Sequence, residues 1–382
     1  MSGERRLDVR RVAMEFAKEG KLLGVEPYGN GHINDTFLAR YRDASGERRL
    51  ICQRINHEVF RNPAAVMENI VRVTAHQHRR LAEEGCADAE RRALRTVATS
   101  GGAPFYLDAE GNTWRSYLFI EGASSLEAVE TPGQAREAAR AFGRFQGQLA
   151  DLPGERLHET IPGFHHTPSR LRALQDAVER DPFNRACGVA AEVEFVLGRE
   201  AQVRRLVEAQ EAGLLPERIT HNDTKLNNVL IDARTQEGIC VIDLDTVMPG
   251  LALYDFGDLV RSSTSPTAED ERDLSKVGMR MPMFAALVDG YLGAASGFLL
   301  AAEKAELAFC GRLITLEIGM RFLTDHLEGD RYFRIHRADQ NLDRSRAQFR
   351  LVRSMEEQEE AMERMVEEWT PSSSAALAES CA

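Results

Sequence analysis

The hydrophobic pattern of the chain changes period once, near Gly122, and that change limits the fold more than any other feature. Before it, short runs alternate as strands do. "HINDTFLARY" and "RRLICQRIN", joined by the turn "RDASGE", predict one β-hairpin, and "APFYLDAEGNTWRSYLFIEG", turning at Glu110-Gly111-Asn112, predicts a second. Between them "NPAAVMENIVRVTAHQHRRLAEE" places Val66, Ile70, Val73 and Leu81 on one helical face, with Pro63 in its first turn. A shorter helix with Leu7, Val12, Phe16 and Ala17 as its apolar residues leads in and stops near Gly20. After Gly122 the period is helical in "TPGQAREAARAFGRFQGQLADL", "TPSRLRALQDAVERD" and "AAEVEFVLGREAQVRRLVEAQEAG". One polar hairpin, "ITHNDTKLNNVLID" with "GICVIDLDTVMPG", interrupts the helices. The expectation is an α+β chain in two lobes: a strand-rich lobe over residues 1–122, a hinge at Ile120 to Ala123, and a helical lobe over residues 123–369. A charged helix in "MEEQEEAMERMVEEW" is expected to be solvated, and residues 370–382 to be disordered.

Composition excludes several classes of function. With 48 Lys and Arg against 60 Asp and Glu, the net charge of -12 argues against a nucleic-acid partner or an anionic membrane. The six cysteines show neither a C-x-x-C pair nor zinc-like spacing and read as reduced thiols. The charged start "MSGERRLDVRRVAMEFAKEG" is unlike a signal peptide, and the apolar segment Met281 to Ala302 holds Pro282, Asp289 and three glycines, which suits buried helices. A cytoplasmic protein is expected.

The polar hairpin carries the chemistry. Between the apolar arms Leu214-Leu215 and Val229-Leu230-Ile231, a run of amides and hydroxyls surrounds His221, Asp223 and Lys225. Asn228 follows Asp223 by five residues and Asp243 by twenty. A carboxylate can position an alcohol, and hard oxygen ligands suit Mg²⁺. The spacing resembles the phosphotransferase pattern of the protein-kinase-like fold. Asp255-Phe256-Gly257 appears in "YDFGDLV", but it opens a helix, so the metal role falls to Asp243 and Asp255 and Asp258 read as caps or buttresses. In the small lobe, Gly29 and Gly31 in "YGNGHINDTF" could bring backbone donors to phosphates or simply make a turn. Arg54 in "CQRIN" holds the place of the phosphate-pairing lysine, with Glu68 or Glu58 as its partner.

On these segments, together with "NPAAVMENI", "ETIPGFH", "YDFGDLVRS" and "GMRFLTDHLEGDRYF", residues 29 to 333 resemble the aminoglycoside-phosphotransferase-like kinases, and within them the N-acetylhexosamine 1-kinases. The resemblance implies a bilobal protein-kinase-like fold and a kinase that uses ATP and Mg²⁺ to phosphorylate the anomeric hydroxyl of a free sugar. By position it implies Asp223 as base and Lys225 as phosphate-side cation, with Asn228 and Asp243 on the metal. Thr246, Arg321 and Tyr332 join Asp223 at the sugar. Gly29, Gly31, His32, Asn34 and Arg54 are implied for the nucleotide, with adenine at the backbone of Phe119, Ile120 and Glu121. A kinase of the same fold acting on an aminoglycoside, choline or homoserine is the competing reading. The arginines from Arg331 to Arg353, interleaved with acids, are expected to form a solvated helix face.

Overall fold

In the computed structural model, which describes residues 8–17, 20–29, 33–44 and 46–369, the strands before residue 119 pair into one antiparallel sheet. Helix α1 (Val9–Phe16) precedes strands β1 (Lys21–Pro27), β2 (Asp35–Asp43) and β3 (Gly46–Arg54). Helices α2 (Pro63–Glu83) and α3 (Ala89–Arg92) come next, then β4 (Tyr106–Leu107) and β5 (Thr113–Leu118). The order across the sheet is β1-β2-β3-β5-β4. Both expected hairpins are present. Strand β1 is an addition, hidden in the sequence because a register shift between Leu22 and Gly24 breaks its alternation. Asn62 starts α2 by accepting the Ala65 N–H at 3.2 Å, with Pro63 where a missing N–H leaves no bond unmade.

Alternation along β5 assigns the two faces of this sheet. Trp114 packs with Ala39, Tyr41, Leu50 and Cys52 under Val12, Ala13 and Phe16 of α1. Tyr117 instead joins the core shared with α2 and the large lobe, and Arg115 points the same way.

The rest of the chain is mainly helical. Strand β6 (Ala123–Ser125) is followed by α4 (Pro132–Leu149), α5 (Thr167–Arg180), α6 (Ala190–Leu197) and α7 (Glu200–Glu211). Strands β7 (Arg218–Thr220), β8 (Val229–Asp232), β9 (Gly238–Val241) and β10 (Met248–Gly250) form two small sheets, β6-β8-β9 and β10-β7. Because β6 pairs with β8, the chain has left the first sheet by residue 123. Helices α8 (Ala252–Thr264), α9 (Met281–Ala295), α10 (Ala301–Ala305), α11 (Leu307–Leu327), α12 (Gln340–Glu356) and α13 (Glu359–Glu367) complete the lobe. Its core is built from Phe142 and Phe145 of α4, Phe284 and Tyr291 of α9, and Leu313 and Ile314 of α11. The mixed α+β architecture, a small antiparallel lobe and a helical lobe, is the expected one.

Two expectations change. Leu214 is 62% exposed, so Leu215 alone forms that apolar arm. Helix α13 is not fully solvated: Met362 is buried, and Met365, Val366 and Trp369 pack on the main core at helical spacing. Among the described residues no helix is long and apolar enough to cross a membrane. Cys52, Cys86, Cys187, Cys240 and Cys310 are thiols rather than disulfides, whereas Leu7, Cys381 and the tail from residue 370 lie outside the described residues.

Candidate active site

After β7 the chain turns through His221, Asn222 and Asp223, and one buried side chain holds that turn. Asp255 Oδ2 accepts the His221 N–H at 2.9 Å and Oδ1 accepts the Asn222 N–H at 2.7 Å, while Gln146 Nε2 donates to Oδ2 at 2.6 Å. Burial pushes the Asp255 carboxyl above its ordinary pKa, opposed by His221 and these donors. Asp255 is thus a buttress, as expected. Its two successors serve packing: Phe256 is fully buried, and a Cβ on Gly257 would lie 2.6 Å from the Cys310 carbonyl, so glycine permits the close approach of α8 to α11. His221 donates from Nε2 to the Ile242 carbonyl at 2.9 Å and accepts the Asp223 N–H at Nδ1, 3.3 Å away, with its ring against Phe142 and Phe145. Asn222 has φ 66°, a left-handed conformation that asparagine tolerates better than most residues.

This support brings three of the expected residues together. Lys225 Nζ lies 2.6 Å from Asp223 Oδ1, and Asn228 Nδ2 donates to the Asp223 carbonyl at 2.8 Å and to Oδ2 at 3.2 Å. Burial works against charge on Asp223, but Lys225 prevails and holds the carboxyl below its usual range. Asp223 in turn raises the Lys225 ammonium. Asp223 is therefore an ionised acceptor at neutral pH.

Asp243 follows β9 at φ 61° and ψ 59°, a strained conformation for a non-glycine residue, of the kind that clusters at functional sites. Burial first, then the charges of Asp245 and Asp223, push its carboxyl up to about 7. A cation beside it would reverse that effect. With Nδ2 engaged on Asp223, Asn228 has Oδ1 left to offer. Among the described residues no three His, Cys, Asp or Glu side chains cluster as a metal cage. One carboxylate and one amide oxygen nevertheless suit Mg²⁺, which keeps waters and takes substrate phosphate oxygens as its other ligands.

On the small-lobe side Arg54 and Glu68 do not pair with each other. Arg54 pairs with Asp35, its Nε 2.7 Å from Oδ2, and donates to Asn112 at 3.2 Å, while Glu68 is taken by His158 at 2.9 Å. The register sets Arg54 opposite Trp114, the face covered by α1. Its neighbour Gln53 lies opposite Arg115, on the other face, and accepts Arg115 Nε at 3.0 Å. Arg115 is the buried cation that reaches the large lobe, where it pairs with Asp245. Asn34, expected at the nucleotide, donates to Asp245 at 2.5 Å and accepts the Asn56 N–H at 3.0 Å. Gly29 has φ 75°, and Gly31 and His32 lie outside the described residues.

The crossing between lobes is tied from behind. Phe119 meets the Tyr28 ring edge-on at 5.8 Å and the Arg49 guanidinium at 3.9 Å, and Ile120 is buried. Glu121 pairs through its carboxylate with Arg49 and through its carbonyl with Arg91, which also binds Asp232 at 2.7 Å.

A cavity of about 1200 Å³ opens on Asp223 and Lys225, and Thr246, Arg321 and Tyr332 line it as well. The Thr246 hydroxyl donates to the His221 carbonyl at 2.7 Å. Arg321, on α11, lies 5.0 Å from the Phe164 ring, 5.7 Å from Tyr332 and 5.6 Å from Phe333, and its Nη2 reaches Tyr332 Oη at 3.4 Å. Asp325 fixes the loop after α11: its two oxygens accept the N–H groups of Arg331, Tyr332 and Phe333 at 2.8–2.9 Å, plus Asn341 Nδ2 at 2.9 Å. His165 links another wall to the Asp223 turn, with Nε2 3.2 Å from the Asn222 carbonyl and Nδ1 2.8 Å from the fully buried Glu317, which also accepts Thr167 Oγ1 at 2.6 Å. His165 and Asp325 sit inside segments that carry the resemblance, but their partners are distant or fold back, so local pattern does not reveal their tasks. Arg331 and Arg334, exposed as expected, and the more buried Arg344 also line the cavity, whereas Arg346 and Arg350 pair with Glu192 and Glu357 as a solvated face would require.

A two-lobed α+β fold with an ionised aspartate and a lysine at the head of one cavity, and an asparagine bonded to that aspartate, is of the small-molecule phosphotransferase class. The chain belongs to the APH phosphotransferase enzyme family, whose model matches residues 24–296. Among solved structures it is similar to an aminoglycoside phosphotransferase from Alicyclobacillus acidocaldarius, with a TM-score of 0.60 at 14% identity over 94% of this chain and 96% of that one. An amicoumacin kinase in complex with AMP-PNP, Ca²⁺ and its substrate gives 0.54 at 13%, covering 94% of each chain. A choline kinase from Cryptosporidium parvum gives 0.50 at 12%, covering 94% and 97%. At such identities the likeness concerns the fold.

Proposed function

We propose that the protein is an ATP- and Mg²⁺-dependent sugar kinase that phosphorylates the anomeric hydroxyl of a free N-acetylhexosamine or related hexose. The observation that carries this reading is the wall chemistry of the cavity in front of Asp223. Seven Lys or Arg side chains line it against six Asp or Glu, in a chain whose net charge is -12. A polycationic or quaternary-amine acceptor favours acidic walls, whereas a hydroxyl-rich ring is served by aromatic faces and planar donors such as Arg321 among Phe164, Tyr332 and Phe333. The amicoumacin kinase, with its bound AMP-PNP and Ca²⁺, supports a nucleotide and a divalent cation as partners.

In this mechanism Asp223 accepts a hydrogen bond from the anomeric O–H and aims its oxygen at the γ-phosphorus. The new O–P bond forms as the bond to the ADP oxygen breaks, and the proton passes to Asp223. A depressed pKa suits this task, because in a loose transition state positioning outweighs basicity. Lys225 shares its charge with the transferring phosphoryl oxygens. Asn228 and Asp243 would hold Mg²⁺, which would supply charge neutralisation at the phosphates. Asp255 and His165 keep the turn in register.

The test is ADP release with Mg·ATP and a panel of GlcNAc, GalNAc, glucose and galactose beside kanamycin, choline and homoserine. Turnover of a hexosamine that falls at least about 10³-fold in Asp223→Asn is expected. Turnover confined to the amine-bearing acceptors would refute the sugar assignment.

A further inference from the structure

The cavity in front of Asp223 is larger and more basic than one neutral ring requires. Its volume of about 1200 Å³ exceeds the roughly 300–1,000 Å³ of most small-molecule sites. Its walls include Asp223 and Lys225 but not Asn228, Asp243, Phe119 or Glu121. The space therefore lies on the acceptor side of the catalytic carboxylate, away from the residues proposed for metal and adenine.

Charge is not evenly matched along these walls. Near the catalytic loop Lys225 is paired with Asp223, and Arg261 with Asp258 at 2.7 Å and Glu269 at 2.8 Å. The segment from α11 into α12 is different. Arg321, Arg331 and Arg334 line the cavity, and among the described residues no carboxylate lies within 4.0 Å of any of them. Arg344 reaches Glu269 only at 3.8 Å, and its buried Nε has no hydrogen-bond partner. Arg170, whose Nη2 holds the Phe164 carbonyl at 2.7 Å, adds a further guanidinium at this end; burial and then the Arg321 charge lower its pKa, with Glu317 opposing them. The local acids are otherwise engaged: Asp325 accepts backbone N–H groups and Asp330 is paired with Arg185 at 2.6 Å. Guanidinium groups left without carboxylates on a concave wall, beside the rings of Phe164, Tyr332 and Phe333, are the recognition chemistry of an anion.

Taking the protein as a sugar kinase, the reading on which this step rests, we propose that the acceptor is an acidic sugar: a reducing saccharide whose carboxylate or phosphate, remote from the anomeric hydroxyl, is bound by Arg321, Arg331 and Arg334. The anomeric hydroxyl meets Asp223, and the intervening ring rests against Phe164, Tyr332 and Phe333. Asp325 holds Arg331, Tyr332 and Phe333 by their backbone, which fixes the loop that presents Arg331 and the two rings.

Matched acceptor pairs test this with the full chain and Mg·ATP: glucose against glucuronic acid, N-acetylglucosamine against its 6-phosphate, and N,N′-diacetylchitobiose against a disaccharide ending in a uronic acid. ADP release gives kcat/KM, and ³¹P NMR locates the phosphate. The acidic member of at least one pair is expected to be favoured by about tenfold or more, with an advantage that shrinks as NaCl rises. In Arg331→Gln/Arg334→Gln the acidic-to-neutral ratio should fall about tenfold; both side chains are exposed, and an unchanged Tm confirms that folding is intact. The carboxylate and phosphate pairs tell the two anions apart. Neutral members used as well as or better than acidic ones, or a ratio indifferent to the double substitution, would overturn the inference and leave the sugar-kinase reading standing. Turnover of kanamycin, choline or homoserine alone would overturn both.

Discussion

Arg115 on β5 and Asp245, 130 residues later, form a buried pair in which the two terminal guanidinium nitrogens meet the two carboxylate oxygens, one of them at 2.9 Å. Burial opposes charge on Arg115, but Asp245 more than offsets it. The pair joins the small sheet to the turn that carries Asp243, so the geometry of the proposed metal site depends on a residue of the other lobe.

Breaking this pair from one side leaves a buried charge. Arg115→Met is expected to destabilise the protein by about 3–5 kcal/mol, and Arg115→Met/Asp245→Leu by much less than the sum of its parts. Urea unfolding of the four proteins measures the coupling. Additive effects within about 0.5 kcal/mol would show that the pair does not act as a unit.

Asp255→Asn preserves shape but replaces one acceptor of the proposed catalytic turn with a donor. The turn should loosen, lowering kcat about 10²-fold, while KM for ATP changes less than about threefold. Steady-state kinetics decide: a KM effect without a kcat effect would contradict the buttress role.

Asp325→Ala frees the backbone of Arg331, Tyr332 and Phe333. Acceptor KM should rise about tenfold or more, with KM for ATP nearly unchanged. Equal rises in both would mean that the loop supports the whole cleft rather than the acceptor side.

Glu237, in the turn between β8 and β9, binds Arg92 at 2.9 Å and Arg144 at 2.9 Å. The Arg92 hydrogen bonds, against the opposing effect of burial and with help from Arg144, hold its carboxyl down at about 2, from an ordinary 4.5. A group depressed on folding stabilises the native state fully above its unfolded pKa and loses that contribution as pH falls through the folded value. The stability difference between the native protein and Glu237→Gln should therefore be about 1–3 kcal/mol at pH 6 and vanish between about pH 4.5 and 2. Thermal unfolding against pH measures it, and a difference that persists at pH 2 would contradict the assignment.

The proposed catalytic loop was legible because its elements are local. Asp223, Lys225, Asn228 and Asp243 lie within one hairpin and its flanks, and strand pairing between β8 and β9 closes the distance that the spacing implies. Thr246, Arg321 and Tyr332 line the cavity that their positions suggested. The link between the lobes, by contrast, depends on strand register. Adjacent strand residues face opposite ways, so a shift of one position exchanges the α1-covered side for the cleft side, and the residue sharing the cleft side with Gln53 is Arg115 of β5.

Periodicity, helix caps and the spacing of one polar hairpin, all set within a few turns of chain, were enough to establish two lobes, the element types and a phosphotransferase pattern. Only the tertiary structure decided which arginine spans the lobes, that His165 joins Asp255 in holding the Asp223 turn, and that Arg331, Arg334 and Arg344 line the cavity. Those outcomes depend on sheet register and on packing of α8, α11 and α12 across more than a hundred residues, and no local pattern encodes which face of an element its distant neighbours will cover.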